Sequence, residues 1–98
     1  MPLRLNPRYQ ARVLLYSDID ARHTRSGAWA SQWGQNFEGP GLTQVVICSV
    51  PDEQNIQLFG LDQRSNVVFD SGHATLDDAK LYAELEFPQL TSTWLAPD

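Results

Sequence analysis

Asp70-Ser71-Gly72-His73 sets a hydroxyl two residues from an imidazole, with a carboxylate beside them. Those are the parts of a nucleophile–base pair, in which histidine takes the serine proton as the oxygen attacks. Residues this close in sequence seldom reach the mutual geometry, and no glycine-flanked elbow surrounds Ser71. The stretch is therefore read as a strand-to-helix turn: Asp70 and Ser71 bond local amides, and Gly72 supplies a positive φ. His23 is the other histidine. With His73 and Asp70 it would make two imidazoles and a carboxylate for a metal, but the spacing fits no ligand motif. Both histidines are read as surface or turn residues, and neither a metal nor a cofactor is expected. Cys48 is the single cysteine, which excludes an internal disulfide and a cysteine-built zinc site. Inside the apolar run Val45–Cys48 it reads as a small buried hydrophobe rather than a reactive thiol. No glycine-rich phosphate loop occurs.

A stronger signal is aromatic. In GAWASQWGQNFEGPG, Trp29, Trp33 and Phe37 are spaced i, i+4, i+8, which lines one face of a helix. Ser26 is placed to cap that helix, Gly34 weakens it, and Gly39-Pro40-Gly41 ends it. Buried, the indoles would cover a sheet; exposed, they would form a hot-spot pair for a partner.

The elements that must position these residues follow from hydrophobic period. Tyr9–Ser17 reads as a first strand, with Val13 to Tyr16 at its centre. Leu42–Val50 is apolar on both parities, with Val46, Cys48 and Val50 on one face and Val45 and Ile47 on the other. Such a strand is usually central and covered on both sides. Ile56–Leu61 is a third strand, with Ile56 and Leu58 opposite Phe59 and Leu61, and Gly60 marks a bulge or a close neighbour. Val67–Phe69 is a fourth. Short turns at Pro51–Asn55 and Asp62–Asn66 make the pairing antiparallel. Thr75 then caps a helix over Leu76–Phe87 with Asp77 and Asp78 in its first turn, and Pro88 ends it. Lys80 and Glu84 are spaced to pair along it. Thr91–Leu95 reads as a short edge strand, or as a tail packed by Trp94. The fold class is α+β: an antiparallel sheet of four to five strands, one C-terminal helix on one face, and a short aromatic helix between the first two strands.

Ninety-eight residues, 42% apolar and 19% charged, fit one globular domain. No apolar run reaches the roughly 20 residues of a membrane span, and no secretory leader is read at the start. With a lone cysteine, the cytoplasm is the expected setting. The net charge is −5 and uneven. Five arginines face two aspartates up to Arg25, and two bases face ten acids after it. An acidic body opposes nucleic-acid binding. The basic leader and the acidic body read first as two ordinary solvated surfaces, and otherwise as surfaces suited to pair within the chain or across a dimer. One layer of helix is too little to cover both faces of Leu42–Val50, so the second cover is expected to be the aromatic segment or a second copy of the chain.

The span VVFDSGHATLDDAKLYAELEF resembles the C-terminal strand–turn–helix of small uncharacterised bacterial proteins, of the mobile gene-cassette or immunity kind. The matching pattern here is Thr75, Ala79, Ala83, Glu84, Glu86 and Phe87, while Gly72 stands where many of those proteins carry tryptophan. The resemblance covers about a fifth of the chain and implies a binding role without catalytic residues. The expected function is thus a small non-enzymatic interaction module, homodimeric. Trp29, Trp33 and Phe37 would be its contact patch, and Asp77, Asp78, Glu84 and Glu86 an acidic helix face for a basic protein. The alternative is a small-molecule module with an apolar pocket lined by Trp29, Trp33, Tyr16 and Phe59.

Overall fold

The computed structural model of the chain describes residues 3–6, 9–29 and 41–97. Four strands run β1 (Arg12–Asp18), β2 (Gln44–Ser49), β3 (Ile56–Leu61) and β4 (Val67–His73), followed by α1 (Leu76–Glu86) and a 3-10 helix (Pro88–Ser92). The strands form one antiparallel sheet in the order β1-β2-β3-β4. Each strand pairs with its sequence neighbour; short turns dictate this for β2–β3 and β3–β4, while residues 19–43 connect β1 to β2. An α+β fold with an antiparallel sheet and one C-terminal helix is therefore the architecture. Of the aromatic segment only Gly27 to Trp29 is described; Trp33, Phe37 and the helix expected through them lie outside the described residues.

Strand parity decides the two faces. Val45, Ile47, Leu58 and Phe69 pack against Ala79, Ala83 and Phe87 of the helical layer, together with Trp29, Leu42 and Leu90. Val46, Cys48, Phe59 and Leu61 form a second cluster on the far face. Burying each large aliphatic side chain in these layers contributes about 1.5–3 kcal/mol.

The far face is closed from within the chain. Leu3, Leu5, Ala11, Val13 and Tyr16 pack on it, and the Tyr9 ring lies 5.6 Å from that of Phe59. Val45, Val46, Ile47 and Cys48 consequently have no exposed surface in a single copy. The expected second cover is therefore replaced. The leader does this work, while Trp29 of the aromatic segment belongs to the helix side. Its signal was present in the leader: Leu3 and Leu5 alternate with Arg4, as an extended segment with one apolar side would. Arg4 fixes the leader in place, its amide donating to Gln44 Oε1 at 2.9 Å.

Two segments differ from expectation. β4 runs on through Asp70-Ser71-Gly72-His73, pairing Leu58 with Ser71 and Ile56 with His73. It has β3 on one side only, so its outer edge tolerates the polar residues that made it look like a turn. The one described glycine with a positive φ is Gly27, not Gly72. Of the two readings of Thr91–Leu95, the edge strand is not formed and the tail packed by Trp94 is, with Trp94 on the helix-side cluster. Pro88 opens a 3-10 turn instead, and the tail returns to β1 through a single bridge between Leu95 and Tyr16. Gly60 meets both of its expected roles: the register shifts beside it, and a Cβ there would sit 2.9 Å from Leu42 Cδ2.

Candidate functional site

Helix α1 begins as its sequence requires. Thr75 stays extended, and its Oγ1 accepts from the Asp78 amide at 3.1 Å. Asp77 and Asp78 sit where the helix dipole favours negative charge. Ala79, Ala83 and Phe87 turn to the sheet, which carries the opposite side outward. There, Leu81 and Leu85 lie one turn apart, 61% and 52% exposed. Asp77, Lys80, Leu81 and Glu84, with Thr91 of the 3-10 helix, line an open groove of about 350 Å³. The expected Lys80–Glu84 pair is absent from the ion pairs among the described residues, because Glu84 Oε2 accepts from Trp94 Nε1 at 2.9 Å. Lys80 lines the same groove as Asp77 and Glu84.

Glu86 is a correction. It was expected on the acidic exterior, yet it is 1% exposed and faces inward. Its Oε2 takes a 2.6 Å hydrogen bond and ion pair from Arg25 Nε, and its Oε1 accepts from the Trp29 amide at 3.1 Å. The Ser26 amide reaches its carbonyl at 2.8 Å. The Arg25 guanidinium also stands over the Phe87 ring, 5.4 Å from its centroid. Glu86 thus holds the 25–29 segment to the helix end, and the exposed acidic face reduces to Asp77, Asp78 and the half-buried Glu84.

That clamp delivers Trp29 to the core, with no exposed surface. Its ring stacks on Phe69 at 4.4 Å and on Tyr82 at 5.5 Å, and meets Phe87 edge-on at 5.8 Å. Its Nε1 donates to the Tyr82 carbonyl at 3.0 Å. Trp29 is therefore not a surface contact. Nor does it share a pocket with Tyr16 and Phe59, which lie on the far side of the sheet.

Ser71 and His73 do come together. Alternation along β4 puts both on the helix side, with Ser71 Oγ 2.7 Å from His73 Nε2. Burial lowers the His73 pKa from its ordinary value, against the pull of the Asp78 charge, which favours the neutral ring. Asp70 projects to the opposite face, opposite Phe59, and does not orient the imidazole. A hydroxyl and a base without an orienting carboxylate make a hydrogen-bonded pair, not a triad.

Comparison with protein-family models, curated proteins and solved structures finds no match to this chain. Its function must be read from its own residues.

The remaining candidates are structural. His23 is buried against expectation. Its Nδ1 accepts from the Asp20 amide at 3.2 Å, and its Nε2 lies 3.0 Å from Thr93 Oγ1. Thr93 Oγ1 is in turn 2.9 Å from Ser17 Oγ, which donates to the Asp18 carbonyl. This network ties loop, tail and β1 together. Asp20 is held below the usual carboxylate range by hydrogen bonds from Arg22. Cys48 is buried as expected, and desolvation pushes its thiol up to about 11. Among the described residues, no group of three or more His, Cys, Asp or Glu side chains is placed to hold a metal ion, and no helix is long and apolar enough to cross a membrane.

Proposed function

We propose that the protein is a small interaction module whose contact surface is the outer face of α1. The observation that carries this reading is the exposed pair Leu81 and Leu85, framed by Asp77, Asp78 and Glu84. Leucines of that exposure on a helix are not needed by the core, which already has its own inner face. The occupant proposed is a basic amphipathic segment of another protein, with leucine-like side chains in the groove and lysine or arginine beside the carboxylates. A second copy is disfavoured as occupant: it would set this acidic face against itself, and the sheet does not need a second copy to be covered. A cytoplasmic setting and a role of the immunity or gene-cassette kind belong to the same proposal.

The test is a titration of the labelled protein with a synthetic helical peptide carrying leucines along one face and lysines beside them. Amide shifts are expected to saturate at Asp77, Lys80, Leu81, Glu84 and Leu85, and to weaken with salt. Covering the exposed parts of the two leucines contributes about 2 kcal/mol, so Leu81→Ser with Leu85→Ser should weaken binding roughly thirtyfold. An unchanged affinity in that double variant would sink the reading. So would concentration-dependent light scattering abolished by the same changes, which would mark the face as self-associating.

A further inference from the structure

We infer that the far side of the molecule carries a second, unrelated site: a cavity for a small oxyanion, built by Arg4 and Arg64. The leader and the β3–β4 turn enclose a cavity of about 470 Å³, lined by these two arginines with Asn6, Tyr9, Ser65 and Asn66. It is a basic concavity on a chain of net charge −5.

Arg4 is held rigidly by neutral groups alone. Its Nη1 donates to the carbonyls of Asp62 and Gln63 at 3.2 and 3.4 Å, and its Nη2 donates to Thr43 Oγ1. Its Nε is buried and has no acceptor. Among the described residues Arg4 makes no ion pair, so its guanidinium charge stands beside the cavity without a carboxylate partner there. Desolvating a cation with neutral partners alone is costly, which is a poor way to staple a leader but a good way to present charge to an anion.

Arg64 supplies the second cation. It is exposed and carried on the turn between β3 and β4. The nearest carboxylate in sequence, Asp62, is occupied by that turn. Its Oδ1 accepts from the Arg64 and Asn66 amides at 2.8 and 3.0 Å, and its Oδ2 accepts from Asn66 Nδ2. Those bonds, with a smaller pull from the Arg64 charge, hold Asp62 below the ordinary carboxylate range, but no ion pair closes between the two side chains among the described residues. Two guanidinium groups, one pinned and one exposed at the rim, match the oxygens of a phosphate or a carboxylate. Ser65 and Asn66 add side-chain donors at the rim. The ligand class is therefore a small molecule bearing a phosphate or carboxylate group. This site lies on the other side of the sheet from α1 and is independent of the interaction face.

The test is amide chemical-shift titration of the full chain with inorganic phosphate and, separately, with acetate, each against sodium chloride of equal ionic strength. Saturable millimolar shifts at Leu5, Asn6, Arg64, Ser65 and Asn66 are expected with at least one oxyanion. Saturation by phosphate alone names a phosphate ligand, by acetate alone a carboxylate, and by both a general oxyanion site. Arg64→Gln should raise the dissociation constant about tenfold and leave the melting temperature unchanged, because that side chain holds nothing in the fold. Arg4→Gln should abolish saturation. Shifts that chloride reproduces, that fail to saturate with either anion, or that keep their midpoint in Arg64→Gln would overturn the inference.

Discussion

Replacing Trp29 with alanine separates a core role from a contact role. The side chain is fully buried, stacked on two rings and edge-on to a third, and its N–H is satisfied by the Tyr82 carbonyl. Removing a buried tryptophan costs about 3–5 kcal/mol. The loss belongs at the upper end here, because each ring pair adds about 0.5–1.5 kcal/mol beyond buried area. A chain of this length has a total stability of about 5–15 kcal/mol. Trp29→Ala should thus remove a third or more of it. Urea unfolding followed by far-ultraviolet circular dichroism reads this directly. With a slope of about 1–1.5 kcal/mol per molar, the midpoint falls by about 3 M. Trp29→Phe keeps a ring in the stack but loses the hydrogen bond and part of the volume, so about 1–2 kcal/mol and a midpoint about 1 M lower are expected. If Trp29→Ala unfolds within about 0.5 M of the parent, the indole is not holding the helix to the sheet and the core described above is wrong.

Two further outcomes follow from buried polar groups. Arg25→Ala leaves the Glu86 carboxylate buried without its cation and should cost about 3 kcal/mol. Glu86→Gln keeps an acceptor for the Trp29 amide and should cost about 1–2 kcal/mol, so the reverse order in urea midpoints would refute the clamp. The His73 pKa is lower in the fold than in the unfolded chain because burial penalises its charged form. The unfolded state therefore binds more protons just below the ordinary histidine value, and this contribution, intact above it, is lost as pH falls through it. Comparing urea midpoints at several pH values, the parent should lose more stability on acidification than His73→Gln; parallel slopes would contradict this.

Local signals were legible and non-local ones were not. The two apolar parities of β2 and β3 fell on the faces that period two assigns, and Thr75 capped α1 through the amide three residues on. Both depend on residues within a few positions of each other. Glu86 was misplaced because its charge was weighed above its position. Ala79, Ala83 and Glu86 are spaced i, i+4, i+7 and share the inner face, and Arg25, far off in sequence, makes that burial tolerable. The pairing of Ser71 with His73 was considered and set aside for a related reason. Polar composition made Asp70–His73 look like a turn, whereas i and i+2 on a strand are neighbours on one face. The leader's role depended on a sheet whose far face no nearby segment covers, which no window of a dozen residues can reveal.

The uneven charge of the chain acquires a physical meaning once both faces of the sheet are closed. Arg25 is paired with Glu86 of the acidic body, whereas Arg22 pairs locally with Asp20. Arg4 breaks that pattern, since it is docked on carbonyls and a hydroxyl and brings its charge to the β3–β4 turn without cancelling any. The helix layer meanwhile shows leucines among carboxylates on the opposite side. A sheet one strand thick separates the two proposed surfaces, and no hydrogen bond or ion pair described here links Leu81 or Leu85 to Arg4 or Arg64. Independent sites of this kind add without coupling. Saturating the leader cavity with phosphate should therefore leave the affinity of the α1 face for a basic peptide unchanged at fixed ionic strength, and a shift of more than a few fold would mean that the sheet transmits what its geometry says it should insulate.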